Sequence, residues 1–387
     1  MKARQACAMA AGLLLGMAIA SGAVAQKQGG VLRVFHRDSP ASMSILEEGS
    51  VSAIMPSMGV FNNLILFDQH VPQNRVESIV PDLATSWSWS EDGTELTFKL
   101  REGVKWHDGK PFTAADVKCT YDLLTGKAKE KLRLNYREAW FFNVDEVTTN
   151  GDSEASFHLK RPQPVLLSLL ASGYSPIYPC HVSARDMRTH PIGTGPFKFA
   201  EYKPNQSIKV TRNPDYWRPG RTYLDGIEYT MIADRSTAIL AFVTGKFDMT
   251  FPYDVTVPLL KDVKSQAPQA ICELKPMNGR ANLLVTGAPP FDNPVLRRAM
   301  NLDRKAFVDI LSEGINDIGA VLQPPPEGIW GMPPEILQSL PGYGPDVAKN
   351  REEARALMRL VGYRPDNRLK VKVSTAISPG IAIRLRS

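Results

Sequence analysis

His107 and Asp108 are adjacent and carry the chemistry of a general base or a metal ligand. Neighbours on an extended segment face opposite ways, so the pair reads as turn residues at a surface and not as a converging site. The run Gly193-Thr194-Gly195-Pro196-Phe197 has glycines at the spacing of a phosphate cradle. It lacks the Gly-Lys-Ser/Thr ending, and it runs into a strand over Phe197–Tyr202 where a phosphate loop would open a helix. Covalent catalysis needs a nucleophile with an oriented base. No G-x-S-x-G elbow and no H-E-x-x-H occurs, and His158, His181 and His190 fall into no triad pattern. Three of the 4 cysteines, Cys119, Cys180 and Cys272, lie beyond the N-terminal leader. Their spacing fits no zinc pattern, and they read as small buried hydrophobes, although an odd set permits one bridge. These residues imply neither catalysis, nor a metal, nor a cofactor.

The elements around them are easier to read. In Pro81–Leu124, Trp87 and Trp89 alternate with Ser86, Ser88 and Ser90, the period of a strand with one buried face. Glu91-Asp92-Gly93 turns the chain, and the return strand puts Leu96, Phe98 and Leu100 on one side. After Asp108-Gly109-Lys110-Pro111, Thr113 and Asp116 form a capping box, and Val117, Tyr121 and Leu124 follow at helical spacing. Val144–Lys160 is a second hairpin, turned at Asn150-Gly151-Asp152. Gly30–Phe35 is a first strand, and Pro164 starts a helix through Ala171.

Further along, Ile227–Ile232 is a strand, Ser236-Thr237 caps a helix to Thr244, and Phe247–Phe251 returns as a strand. Such a crossover favours parallel strands in an α/β layer. Tyr253 and Asp254 fall just past the carboxyl end of that return, where open α/β sheets place their ligands. Helix Val257–Ser265 and strands Ala270–Lys275 and Ala281–Val285 follow, then helices opened by Asn293-Pro294 and by Asp303. Pro324-Pro325-Pro326 and Pro333-Pro334 read as a stiff loop. Asn350 with Glu353 caps a helix to Leu360, and Arg368–Ser374 alternates as a strand.

The first 25 of the 387 residues read as a leader: Lys2 and Arg4, an apolar run over Ala8–Ala20, and an A-x-A site ending at Ala25. That run is too short to span a bilayer, which takes about 20 apolar residues. The net charge of +6 includes both leader cations, and the rest is scattered without the basic block of a nucleic-acid binder.

Two stretches carry a family resemblance. Gly103-Val104-Lys105-Trp106-His107-Asp108-Gly109-Lys110-Pro111-Phe112-Thr113-Ala114-Ala115-Asp116-Val117 resembles the signature of the family 5 extracellular solute-binding proteins, receptors of ABC importers. Gly193–Phe197 followed by Asn213-Pro214-Asp215-Tyr216-Trp217 resembles its second signature. The resemblance implies an α/β, two-lobe clamshell of the periplasmic binding-protein type with an extra subdomain in the first lobe. On this division 26–68 and 186–276 form the first lobe, 69–185 its extra subdomain, and 277–375 a partial second lobe. The function implied is capture of oligopeptides or dipeptides in the periplasm by a monomer that delivers them to an inner-membrane permease, with no nucleic-acid partner. The same fold serves nickel chelates, opines and oligosaccharides, and the sequence does not choose among them. Carried onto matching positions, ligand contacts fall at Ser50 and Val51, at Tyr253 and Asp254, and on the hinge side at Asn278 and Arg280. Two stretches depart from the family pattern: Ala299–Arg304 is short by almost a helical turn, and 376–387 reads as an aberrant, out-of-frame tail. The expected consequence is an incomplete second lobe and peptide affinity weaker than that of an intact clamshell by at least about 100-fold.

Overall fold

The first strand pairs not with its sequence neighbour but with a strand that begins at Gly226. In this computed structural model, which describes residues 28–71, 74–251, 254–255, 257–273, 285, 287–302 and 332–372, β1 (Val31–His36) runs parallel to Gly226–Met231, with Val31 opposite Gly226 and His36 opposite Met231. Helix α1 (Val51–Ser57) and the short antiparallel pair β2 (Ile65–Phe67) and β3 (Ile79–Pro81) come next. The hairpin β4 (Ala84–Trp89) and β5 (Glu95–Leu100) then leads into α2 (Ala114–Leu124) and the short α3 (Glu138–Phe141). A second hairpin, β6 (Val144–Thr149) and β7 (Glu154–Leu159), is followed by α4 (Leu166–Leu170). Strands β8 (Phe197–Lys203), β9 (Ser207–Arg212) and β10 (Gly226–Met231) complete a mixed sheet of order β1-β10-β9-β8. The two hairpins make a separate antiparallel sheet of order β4-β5-β7-β6.

The hairpin sheet is built as its alternation dictates. Leu96 and Phe98 are fully buried, Leu100 is nearly so, and Gly93 turns at φ +68°, a conformation that favours glycine. The Thr113 amide donates to Asp116 Oδ2 at 2.9 Å, and Val117, Tyr121 and Leu124 face the sheet, with the Tyr121 ring edge-on to Phe157 at 4.6 Å. Trp87 and Trp89 are only half-buried, because β4 is an edge strand and their indoles cover the rim of the core.

After β10 come α5 (Arg235–Val243), α6 (Val257–Gln266), α7 (Pro294–Asn301), α8 (Pro334–Gln338) and α9 (Val347–Leu360). Several expectations are corrected in this part. The cap of α5 is Asp234, whose carboxylate accepts the Thr237 amide at 2.8 Å, two residues before the expected serine. Helix α9 likewise starts at Asp346, which accepts from the Lys349 amide, and Asn350 lies inside it. Pro333-Pro334 opens α8 instead of stiffening a loop, since proline suits a first helical turn that needs no amide donor. The return at Phe247–Phe251 is a single parallel bridge from Met249 to Val34, not a strand, and Ala270–Glu273 and Arg368–Lys372 form no strand. Alternation alone does not make a strand where no partner edge is presented. The leader, Tyr253, Asn278, Arg280, the strand at 281–284, the helix expected after Asp303, Pro324–Pro326 and the tail lie outside the described residues. Among the described residues no helix is long and apolar enough to cross a membrane.

The cysteines are corrected too. Cys119 and Cys180 form a disulfide, Cys180 is exposed, and Cys272 is a free, half-buried thiol. The bridge joins α2 to a segment already tied there: the Tyr178 amide donates to Thr120 Oγ1 at 2.9 Å and the Cys180 amide to Asp116 Oδ1 at 2.8 Å. These bonds persist on reduction, so the C119S/C180S double variant is expected to lose only about 2 kcal/mol, the low end for a disulfide. Urea unfolding of the variant and the oxidised parent measures it.

Candidate functional site

Three chain segments run parallel and end at one edge of the mixed sheet. β1 ends at His36 and Arg37. β10 ends at Met231 and passes through Asp234 into Arg235. The segment beside β1 passes Met249 and ends at Phe251 and Asp254. The last is held in register by Arg33, whose guanidinium grips the Asp248 carboxylate at 2.7 and 3.0 Å while the Arg33 amide donates to it at 2.8 Å. In open α/β sheets the crevice beyond such carboxyl ends is where ligands bind.

The floor of this edge is aromatic. The buried His36 ring meets Phe251 edge-on at 4.7 Å and Tyr229 at 6.0 Å, and the Arg37 guanidinium lies 5.9 Å from the Phe251 ring centre. Desolvation lowers the His36 pKa, so its ring is neutral at pH 7. Asp254 is 4% exposed. Burial pushes its carboxyl up, and the Arg37 and Arg235 cations pull it back. Helix α1 closes one side: the Ser52 backbone acts on the His36 ring, and Met55 packs on the cluster of Phe35 and Phe251. The structure thus sets the first turn of α1, where Ser50 is the N-cap and Val51 is exposed, beside His36, whose ring meets Phe251 on the segment that carries Asp254. Sequence reading missed His36, Arg37 and Arg235. Their signal is topological, since only the β1–β10 pairing places them at one edge.

The loop that delivers Ser50 and Val51 is pinned by buried charge. Glu47 is fully buried and accepts from Arg188 Nε at 2.7 Å, from a second Arg188 nitrogen at 2.8 Å and from the Arg133 amide at 2.5 Å. Burial alone would raise its pKa, but these donors outweigh it and hold the carboxyl below its ordinary value. Arg137, 1% exposed, donates to the Leu46 and Glu48 carbonyls at 2.6 and 3.0 Å.

His107 is not a surface turn residue. Its ring is held between the Gly193 amide, which donates to Nδ1 at 3.2 Å, and the Gly195 carbonyl, 3.0 Å from Nε2. Both contacts are satisfied only by the neutral ring protonated at Nε2. Desolvation, helped by Lys198, lowers its pKa to about 4. Gly193 and Gly195 press on the Val60 backbone so closely that a Cβ on Gly193 would come within 1.9 Å of the Val60 carbonyl oxygen. The Asn213 side chain also donates to the Gly195 carbonyl, at 3.0 Å. The two signature stretches thus lock to each other and serve as structure. Asp108 accepts from His181 Nε2 at 2.7 Å, and among the described residues no group of three metal-ligating side chains occurs. A cleft of about 240 Å³ beside this lock is lined by Lys105, His107, Asp108, Lys198 and Asp215.

The framework matches known proteins. Residues 78–380 fit the model of the bacterial extracellular solute-binding proteins, family 5 (Middle). The chain belongs to this family. It is 30% identical over 288 residues to the glutathione-binding protein GsiB of Escherichia coli O157:H7, an alignment covering 73% of this chain and 52% of GsiB. It thus spans about half the length of the curated relatives it matches. Family fold is shared with solved structures. The periplasmic binding protein DppA of Helicobacter pylori in complex with the peptide STSA superposes with a TM-score of 0.69 at 24% identity, covering 87% of this chain and 67% of DppA. The oligopeptide-binding protein AppA of Bacillus subtilis with a nonapeptide gives 0.68 at 24%, covering 88% and 66%. The fold is therefore the α/β two-lobe type of this family.

Proposed function

We infer that this chain captures a small solute, a short peptide above all, as the receptor of an ABC importer, and hands it to an inner-membrane permease without chemical change. The observation that carries the reading is the meeting of α1's first turn, Arg37, Arg235 and Asp254 at the carboxyl edge of three parallel segments. A solute held there between two lobes would be fixed by main-chain hydrogen bonds and by ion pairs to its termini. Support comes from family membership and from the peptide and glutathione ligands of DppA, AppA and GsiB. On this reading 26–68 and 186–276 form the first lobe, 69–185 its extra subdomain and 277–375 a partial second lobe. Tyr253, Asn278 and Arg280 would join Ser50, Val51 and Asp254 around the solute. The protein would act as an exported monomer whose mature chain begins at Gln26.

Isothermal titration calorimetry with di- to pentapeptides and with glutathione tests the reading. Saturable one-to-one binding of at least one of them is expected; no saturable heat from any would overturn it.

A further inference from the structure

We propose that the Cys119–Cys180 bridge is a thiol-exchange site, entered at the Cys180 sulfur by a small external thiol and resolved by Cys119. None of its residues belongs to the carboxyl edge, and the exchange is independent of solute capture.

The two sulfurs differ in access. Cys180 is exposed, whereas Cys119 lies half-buried on α2. A thiolate therefore reaches the bridge at Cys180, and access of this kind marks the disulfides that exchange. The backbone around Cys180 is fixed without the bridge. On one side the Ile177 amide donates to the Asn62 carbonyl at 3.1 Å and the Tyr178 amide to Thr120 Oγ1 at 2.9 Å. The Cys180 amide donates to Asp116 Oδ1 at 2.8 Å, and on the other side His181 Nε2 lies 2.7 Å from Asp108 Oδ2. Opening the S–S bond thus leaves Cys180 docked on α2, so exchange needs no unfolding. The reduced thiol is accommodated as well: the Cys180 sulfur lies 3.0 Å from the Ala115 carbonyl, which can accept its S–H.

An external thiolate RS⁻ bonds to the Cys180 sulfur, the S–S bond breaks, and Cys119 leaves as a thiolate. Cys119 stays beside the mixed disulfide and attacks Cys180 again, restoring the bridge and expelling RS⁻. In the other course a second RS⁻ attacks the outer sulfur and releases RSSR and the Cys180 thiolate. Two thiols are then oxidised to one disulfide, and their two electrons and two protons end on Cys119 and Cys180.

Two measurements on the full chain at neutral pH test the site. Dithiothreitol should open the bridge in the folded protein at a rate within about tenfold of that in the urea-unfolded chain, with near-UV circular dichroism retained. In Cys119→Ser, which removes the resolving thiol, oxidised glutathione should load Cys180 at least about tenfold faster than the half-buried Cys272, read by peptide mass mapping. A thermal melt confirms that the variant folds, and the first measurement needs no variant. Opening only when urea unfolds the chain, or glutathione on Cys272 in preference to Cys180 in the folded variant, overturns the proposal.

Discussion

Replacing Glu47 by alanine is expected to destabilise the protein by about 3–5 kcal/mol, the cost of breaking a buried ion pair from one side. The carboxylate is fully buried and takes three hydrogen bonds, two from Arg188 and one from the Arg133 amide. Its loss strands the Arg133 amide and leaves Arg188 without its counter-charge. Arg188 keeps about a quarter of its side chain in water and can be partly resolvated, so the lower half of the range is expected. Glu47→Gln, which retains one acceptor oxygen, should lose about half as much. Urea unfolding measures both. The loop from Ser42 to Ser50 depends on this pair and on Arg137, so Glu47→Gln should also weaken solute binding while the hairpin sheet stays intact. A loss below about 1 kcal/mol in Glu47→Ala would show that the pair is dispensable.

The second large effect depends on pH. The folded His107 ring titrates near pH 4, against an ordinary value of 6.5. Between these values the unfolded chain binds a proton that the folded ring refuses, so stability falls as pH falls, by about 3 kcal/mol across the window. Above pH 6.5 the contribution is fully present. Asp82 does the opposite. It is 2% exposed, accepts both Asn62 Nδ2 contacts at 3.1 Å and Arg218 at 2.8 Å, and desolvation raises its pKa to about 6 from 3.8. Its contribution is full below pH 3.8 and is lost as pH rises through 6. The two slopes overlap and largely cancel in the parent protein. Variants separate them. The destabilisation caused by His107→Ala should be about 2–3 kcal/mol above pH 6.5, where two hydrogen bonds to the ring are lost, and should shrink toward zero near pH 4. Solute affinity of the same variant should stay within about twofold, because the ring meets the Gly193–Gly195 loop and none of the crevice residues. A destabilisation that does not change between pH 4 and 7 would contradict the buried neutral ring.

Local pattern carried much of this architecture. Alternation at Leu96, Phe98 and Leu100, the glycine turn at Gly93 and the Thr113–Asp116 box involve residues within a few positions of each other, and all lie as expected. Features set by distant partners were not legible. Cys119 and Cys180 are 61 residues apart and share no local motif. Glu47 meets Arg188 141 positions away, and His107 meets Gly195 88 positions away. His107 looked exposed because period-two reasoning sees only its own strand, not the loop docked over it. At the site, Ser50, Val51 and Asp254 came from family resemblance and from the rule for carboxyl ends. Arg37 and Arg235 looked like ordinary solvated charges until the pairing of β1 with β10 placed them together.

Where a solute binds is decided most directly by hydrogen exchange, comparing the free chain with the chain saturated by whichever peptide calorimetry identifies. Protection should concentrate at Phe35–Asp38, at Ser50–Ile54 and at Asp254–Val255, and leave β4–β7 and the cleft beside His107 unchanged. Protection confined to the His107–Lys198 cleft or to the hairpin sheet, with the carboxyl edge unaffected, would contradict a crevice at the ends of the parallel segments.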